Sequence, residues 1–74
     1  MQLAWDERYH ELEAVTEHGV YHIDAPDSLN QREVTFWHGP NQNFVARKLS
    51  EDEAKDAAQK HFDWLLEFFT KEKS

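Results

Sequence analysis

The chain has 74 residues, no cysteine, eight lysines and arginines against fifteen acids, and a formal charge of −7 at pH 7. That length holds one domain with one small core, the missing thiols exclude disulfides and thiolate metal sites, and the lack of clustered cations argues against direct contact with nucleic acid or an anionic membrane. No apolar run approaches the roughly 20 residues of a membrane span, and the opening MQLAWDERYH has neither the basic nor the apolar region of a signal peptide, so a cytoplasmic protein is expected.

In chain order, residues 2–8 (QLAWDER) set Leu3 and Trp5 on one side and read as a first strand. Tyr9-His10-Glu11 is the expected turn, although the Asn-Gly pair of a tight hairpin is absent. Residues 12–17 alternate Leu12, Ala14 and Thr16 against Glu13, Val15 and Glu17, the pattern of a strand with one wet face. A short helix over 6–17 is the competing reading; Val15-Thr16 and the break at Gly19 tell against it. Gly19 stands between two strand-like runs, where a positive φ is its simplest role. Val20–Ile23 is β-rich with Tyr21 and Ile23 on one face, and 24–30 is a loop of turn formers around Pro26. Residues 33–37 (EVTFW) form the clearest strand by propensity, Val34 and Phe36 pointing one way, Thr35 and Trp37 the other. A second loop spans 39–43, a last strand 44–49, and Ser50 with Glu53 makes a capping box that opens a helix over 50–70. Glu51 and Asp52 at its start and Lys71 and Lys73 near its end match the helix dipole. The expected architecture is one α+β domain over 1–74: a small antiparallel sheet of four or five strands packed by one C-terminal helix.

On that helix Ala54, Ala58, His61, Leu65 and Phe68 make a central stripe. Ala57 and Trp64 flank it on one side, and Phe62, Leu66 and Phe69 on the other. The apolar arc covers roughly 200°, more than one sheet face needs. Trp5, Phe36, Phe44, Trp64 and Phe68 are the expected aromatic core. The surplus at Trp37, Phe62, Leu66 and Phe69 is the material of a protein-binding hot spot or a homodimer contact, unless a curled sheet wraps that flank.

Chemistry is sparsely encoded. His18 and His22 flank Gly19 and would face each other across a hairpin, but no third ligand stands at zinc spacing. His61 on the apolar face reads as a core-edge histidine with one bonded nitrogen. There is no GxSxG elbow and no glycine-rich phosphate loop, and 74 residues scarcely enclose a deep cleft. No catalytic residue, metal ligand or cofactor site is assigned, and an enzyme is not expected.

The charge is uneven. Residues 1–30 hold Asp6, Glu7, Glu11, Glu13, Glu17, Asp24 and Asp27 against Arg8 alone, whereas 31–50 hold Arg32, Arg47 and Lys48 against Glu33. Net charge of this size keeps a small domain soluble; it also makes those seven acids candidates for binding a basic protein surface.

The order L-x-W at Leu3–Trp5, Ala14 within a strand, G-x-Y-x-I at Gly19–Ile23 and L-S-x-x-E-A-K-x-x-A-Q-x-H over Leu49–His61 resembles a class of short phage and prophage proteins. The resemblance implies a viral or mobile-element origin, a sheet-plus-helix fold and no known enzymatic activity. Two functions follow as expectations. One is a binding protein that inhibits a host machine, as anti-CRISPR and other anti-defence proteins do, its acids occupying a nucleic-acid-binding groove. The other is a homo-oligomeric structural or assembly accessory that associates through its aromatic helix flank.

Overall fold

The structure, a computed structural model, describes residues 2–72, with side chains over 2–69. Five strands, β1 (Asp6–Arg8), β2 (Glu11–Thr16), β3 (Gly19–Ile23), β4 (Arg32–His38) and β5 (Asn41–Lys48), precede one helix, α1 (Glu51–Glu72). The strands form an antiparallel sheet in the order β1-β2-β3-β4-β5, each paired to its neighbours in sequence. The helix covers one face and the other is open, giving the expected α+β fold. Lys73, and the side chain of Lys71, lie outside the described residues.

Turn chemistry sets the register. Tyr9 and His10 both take positive φ, 51° and 68°, as both central residues of a type I′ hairpin must. At the next turn the Thr16 hydroxyl accepts from the amides of His18 and Gly19, both at 3.1 Å, and donates to the Gly19 carbonyl at 2.8 Å. Asp27 organises the longer β3–β4 connection, its Oδ1 accepting from the amides of Leu29 and Gln31, each at 2.9 Å. Gly39 at φ 60° and Pro40 make a two-residue turn, so β5 begins at Asn41 rather than after the loop expected over 39–43. The first strand is likewise shorter than 2–8. Residues 2–5 leave the ladder, and the Leu3 amide donates to Gln59 Oε1 at 2.8 Å, drawing the N-terminal segment onto the helix.

Alternation then sorts the side chains. Leu12, Ala14, Tyr21, Ile23, Val34 and Phe36 are buried beneath α1, against Ala54, Ala58 and Phe62. Two alanines on the first turns let the helix approach closely, and Ser50 caps it, its Oγ accepting from the Glu53 amide at 3.1 Å.

The buried side of α1 differs from the expected stripe. Phe62 is 3% exposed, and Leu65, Leu66 and Phe69 are half-buried, while Trp64 and Phe68 stand 58% and 46% exposed. The core follows the i, i+4 row Ala54–Ala58–Phe62–Leu66, because the small residues fix the line of closest approach and the row continues from them. Phe62, Leu66 and Phe69 therefore belong to the sheet-facing side and are not a spare flank. Of the expected aromatic core, Phe36 is buried and Trp5 packs partly against the core, but Phe44, Trp64 and Phe68 are outside it.

Candidate functional site

Two surfaces carry what chemistry the chain presents. The first is the open sheet face. Paired residues of antiparallel strands project to the same side, so the register builds rows across it. Asp6 pairs with Glu13, Glu13 with His22 and His22 with Thr35. Glu11 lies one alternation from Glu13 and pairs with Arg8. Asp24 closes the group, its Oδ1 3.0 Å from His22 Nδ1, while Glu11 Oε1 lies 3.6 Å from His22 Nε2. One step toward the other end, Val15 pairs with Val20 and Val20 with Trp37. This apolar row stands open, Val15 at 71% and Trp37 at 37% exposure. The face thus divides into a carboxylate-rich end around His22 and an apolar end around Trp37.

Glu11, His22 and Asp24 offer ligand atoms within 4.8 Å of one another. The two carboxylates address opposite nitrogens of one ring, so a cation on either side meets one nitrogen and one carboxylate. The arrangement is a bridged imidazole, not a closed ligand cage.

The second surface is a groove of about 470 Å³ between the β4–β5 end of the sheet and the C-terminal half of α1, lined by Phe36, Phe44, Trp64 and Phe69 with His18, His38 and His61. His18 stacks on Phe69, ring centroids 4.5 Å apart, and His38 Nδ1 donates to the His18 carbonyl at 2.9 Å. His18 and His22 do not meet, because His18 sits in the turn and His22 four residues on lies against Glu13. Beneath the groove Tyr21 is fully buried and its hydroxyl lies 2.6 Å from His61 Nδ1. Burial, and secondarily the charge of Asp63, push the Tyr21 phenol well above its ordinary range, so the hydroxyl keeps its proton and donates to His61. Burial lowers His61 below the usual imidazole range. His61 is the core-edge histidine the sequence suggests, with one nitrogen bonded.

This pair has a pH signature. His61 resists its proton in the folded state, so stability falls as pH drops below about 6.5, where the unfolded chain takes that proton more readily. Tyr21 resists losing its proton, so stability also falls above about pH 10, where the unfolded phenol ionises first. Urea midpoints against pH should show a plateau between these limits. Tyr21→Phe should remove the alkaline loss, and an alkaline limb identical in that variant would refute the assignment.

Of the acids singled out in the sequence, the fold gathers Asp6, Glu11, Glu13 and Asp24 on the open face. Glu7 pairs with Leu12 and so belongs to the opposite side, Glu17 lies in the turn at the far end of β2, and the Asp27 carboxylate is engaged within its own loop. Trp37 shares the open face, paired with Val20. The sequence reading missed Val15 and Val20, whose only signal is alternation against Leu12, Ala14 and Tyr21, and it placed Phe44, Trp64 and Phe68 in the core. No described helix is long and apolar enough to cross a membrane. Comparison with protein-family models, with curated proteins and with solved structures finds no match to this chain.

Proposed function

We propose that the chain is a non-enzymatic binding protein of the kind small phages and prophages direct at a host protein in the cytoplasm, acting as an inhibitor that covers a nucleic-acid-binding surface. The observation that supports this reading is the uncovered sheet face, with Asp6, Glu11, Glu13 and Asp24 gathered at one end and Val15, Val20 and Trp37 in a row at the other. Carboxylates spaced along paired strands offer negative charge to a basic groove, and the adjoining apolar row supplies desolvated contact that charge alone does not. Arg8, paired with Glu11, is a cation within this cluster, and Arg47, 3.0 Å from Glu33, marks its far border.

The test begins with capture of a partner from a bacterial lysate on the immobilised chain, followed by kinetics with the purified partner. Association should slow steeply with added salt, compete with single- or double-stranded polynucleotide, and fall about tenfold or more in the double variant Glu11→Lys, Glu13→Lys. Binding that ignores salt, polynucleotide and charge reversal would remove the acidic face from the mechanism.

A further inference from the structure

The His22 ring stands on the open sheet face with a carboxylate at each of its nitrogens. Asp24, two residues further along the chain, sets its Oδ1 3.0 Å from Nδ1, and Glu11, on the neighbouring strand, sets its Oε1 3.6 Å from Nε2. The three side chains hold their ligand atoms within 4.8 Å of one another. The nearer carboxylate keeps the ring proton on Nδ1, which leaves the lone pair of Nε2 on the side of Glu11. Two electron-rich atoms then stand 3.6 Å apart with no proton between them. Zinc bonds of about 2.1 Å to nitrogen and oxygen put neighbouring ligands of a tetrahedral shell about 3.4 Å apart, so this pair already stands at chelating distance. On the same side a hollow of about 250 Å³ is lined by His22, Glu11, Glu13, Asp6 and Arg8, enough for an ion and its waters. Glu13 is the cross-strand partner of His22, and Asp6 that of Glu13, so both carboxylates project beside the ring.

We propose that this hollow is a solvent-open site for a divalent transition-metal ion of the zinc class. His22 Nε2 and the Glu11 carboxylate bind the ion, Glu13 supplies a third ligand, and water takes the remaining position. Asp24 is a positioning residue: a carboxylate at the far nitrogen fixes the tautomer and orientation of a ligating imidazole and raises its basicity. The inference is independent of the partner proposed for the open sheet face. The ligand types decide the ion, since an imidazole nitrogen suits zinc, copper and nickel, whereas magnesium and calcium take oxygen. Charge favours occupancy, because Asp6, Glu11, Glu13 and Asp24 crowd like charges that a divalent ion offsets. Arg8 is the opposing group, but its Nε lies 3.8 Å from Asp6 Oδ2 and its side chain is 83% exposed, so it engages Asp6 and leaves the Nε2 side free. The His22 side chain is largely covered and those of Glu11 and Asp24 are about half covered, so an ion here orders groups that the sheet already restrains. No spacing motif in the sequence marks the site. Glu11 and His22 are brought together by the β2–β3 register, which sets Leu12 opposite Ile23 and Glu13 opposite His22.

Calorimetric titration of the chain with zinc chloride tests this directly. One ion per chain should bind. His22→Gln and Glu11→Gln should each weaken binding about tenfold or more, and Asp24→Asn about tenfold, while His38→Gln, in the aromatic groove, should leave it unchanged. Magnesium chloride in the same range should not displace zinc. A His22→Gln chain that binds zinc as tightly as the wild type overturns the proposal, as does displacement by magnesium, which would reduce the carboxylates to a diffuse counter-ion atmosphere. Heteronuclear NMR of the histidine rings in the wild type gives a reading that no variant's folding can confound: zinc should shift the His22 Nε2 resonance and leave Nδ1 protonated. A shift centred on His10, His18 or His38 instead would place the ion elsewhere and overturn the site.

Discussion

Replacing Gly19 by alanine should lower the melting temperature by about 15 °C, read by circular dichroism. Gly19 opens β3 at φ 157°, and a Cβ there would run into the backbone carbonyl of Trp37 and the Phe36 ring, whose nearest atoms lie 2.6 and 2.7 Å away. The carbonyl belongs to the β3–β4 ladder, and Phe36 is 5% exposed in the core, so neither can step aside cheaply. Forcing an atom into packed surroundings costs about 1–3 kcal/mol, and here the obstacle includes backbone, which sets the expectation at the upper end. For 74 residues the whole stability is roughly 4–11 kcal/mol, so the loss is a large share of it. A shift of only a few degrees would mean that the strands are not held this close.

The second large effect distinguishes the two flanks of the helix. Phe62→Ala should cost about 3–5 kcal/mol in urea unfolding, because the ring is 3% exposed and stands edge-on to Tyr21 with centroids 6.0 Å apart. Trp64→Ala, measured in dilute solution where any association is absent, should cost about 1 kcal/mol or less, since most of that indole faces water. The contrast is stronger than either value alone. Equal losses, or a larger loss at Trp64, would rotate the helix back to the stripe centred on His61 and Phe68.

That rotation shows where sequence reasoning ran short. The helix itself was legible: Ser50 and Glu53 announced its start, and the Ser50 Oγ–Glu53 amide bond is present. The strands were legible too, because alternation separates Leu12 and Ala14 from Glu13 and Val15 without knowledge of any partner strand. The direction in which the helix faces was not legible, since an apolar arc of roughly 200° has no unique centre. The close approach at the buried Ala54 and Ala58 chooses it, and that is a property of the packed pair. The open face was half legible. Counting acids over residues 1–30 found the charge but could not divide Glu7 from Asp6 and Glu13, nor know that Asp27 is spent on its own loop. The row Val15–Val20–Trp37 exists only once the register is known, since its members come from three strands.

The neighbour-by-neighbour order of the strands also shapes how the chain reaches this structure. Three of the four strand connections are two-residue turns, at Tyr9-His10, Glu17-His18 and Gly39-Pro40, so each ladder closes a short loop and loses little chain entropy in doing so. A bond from the Leu3 amide to Gln59 spans 56 residues and ties the first segment to the last element. Local closures of this kind keep contact order low and folding fast for a sheet protein. The β4–β5 ladder closes across the two-residue Gly39-Pro40 turn, so its formation waits on no long loop.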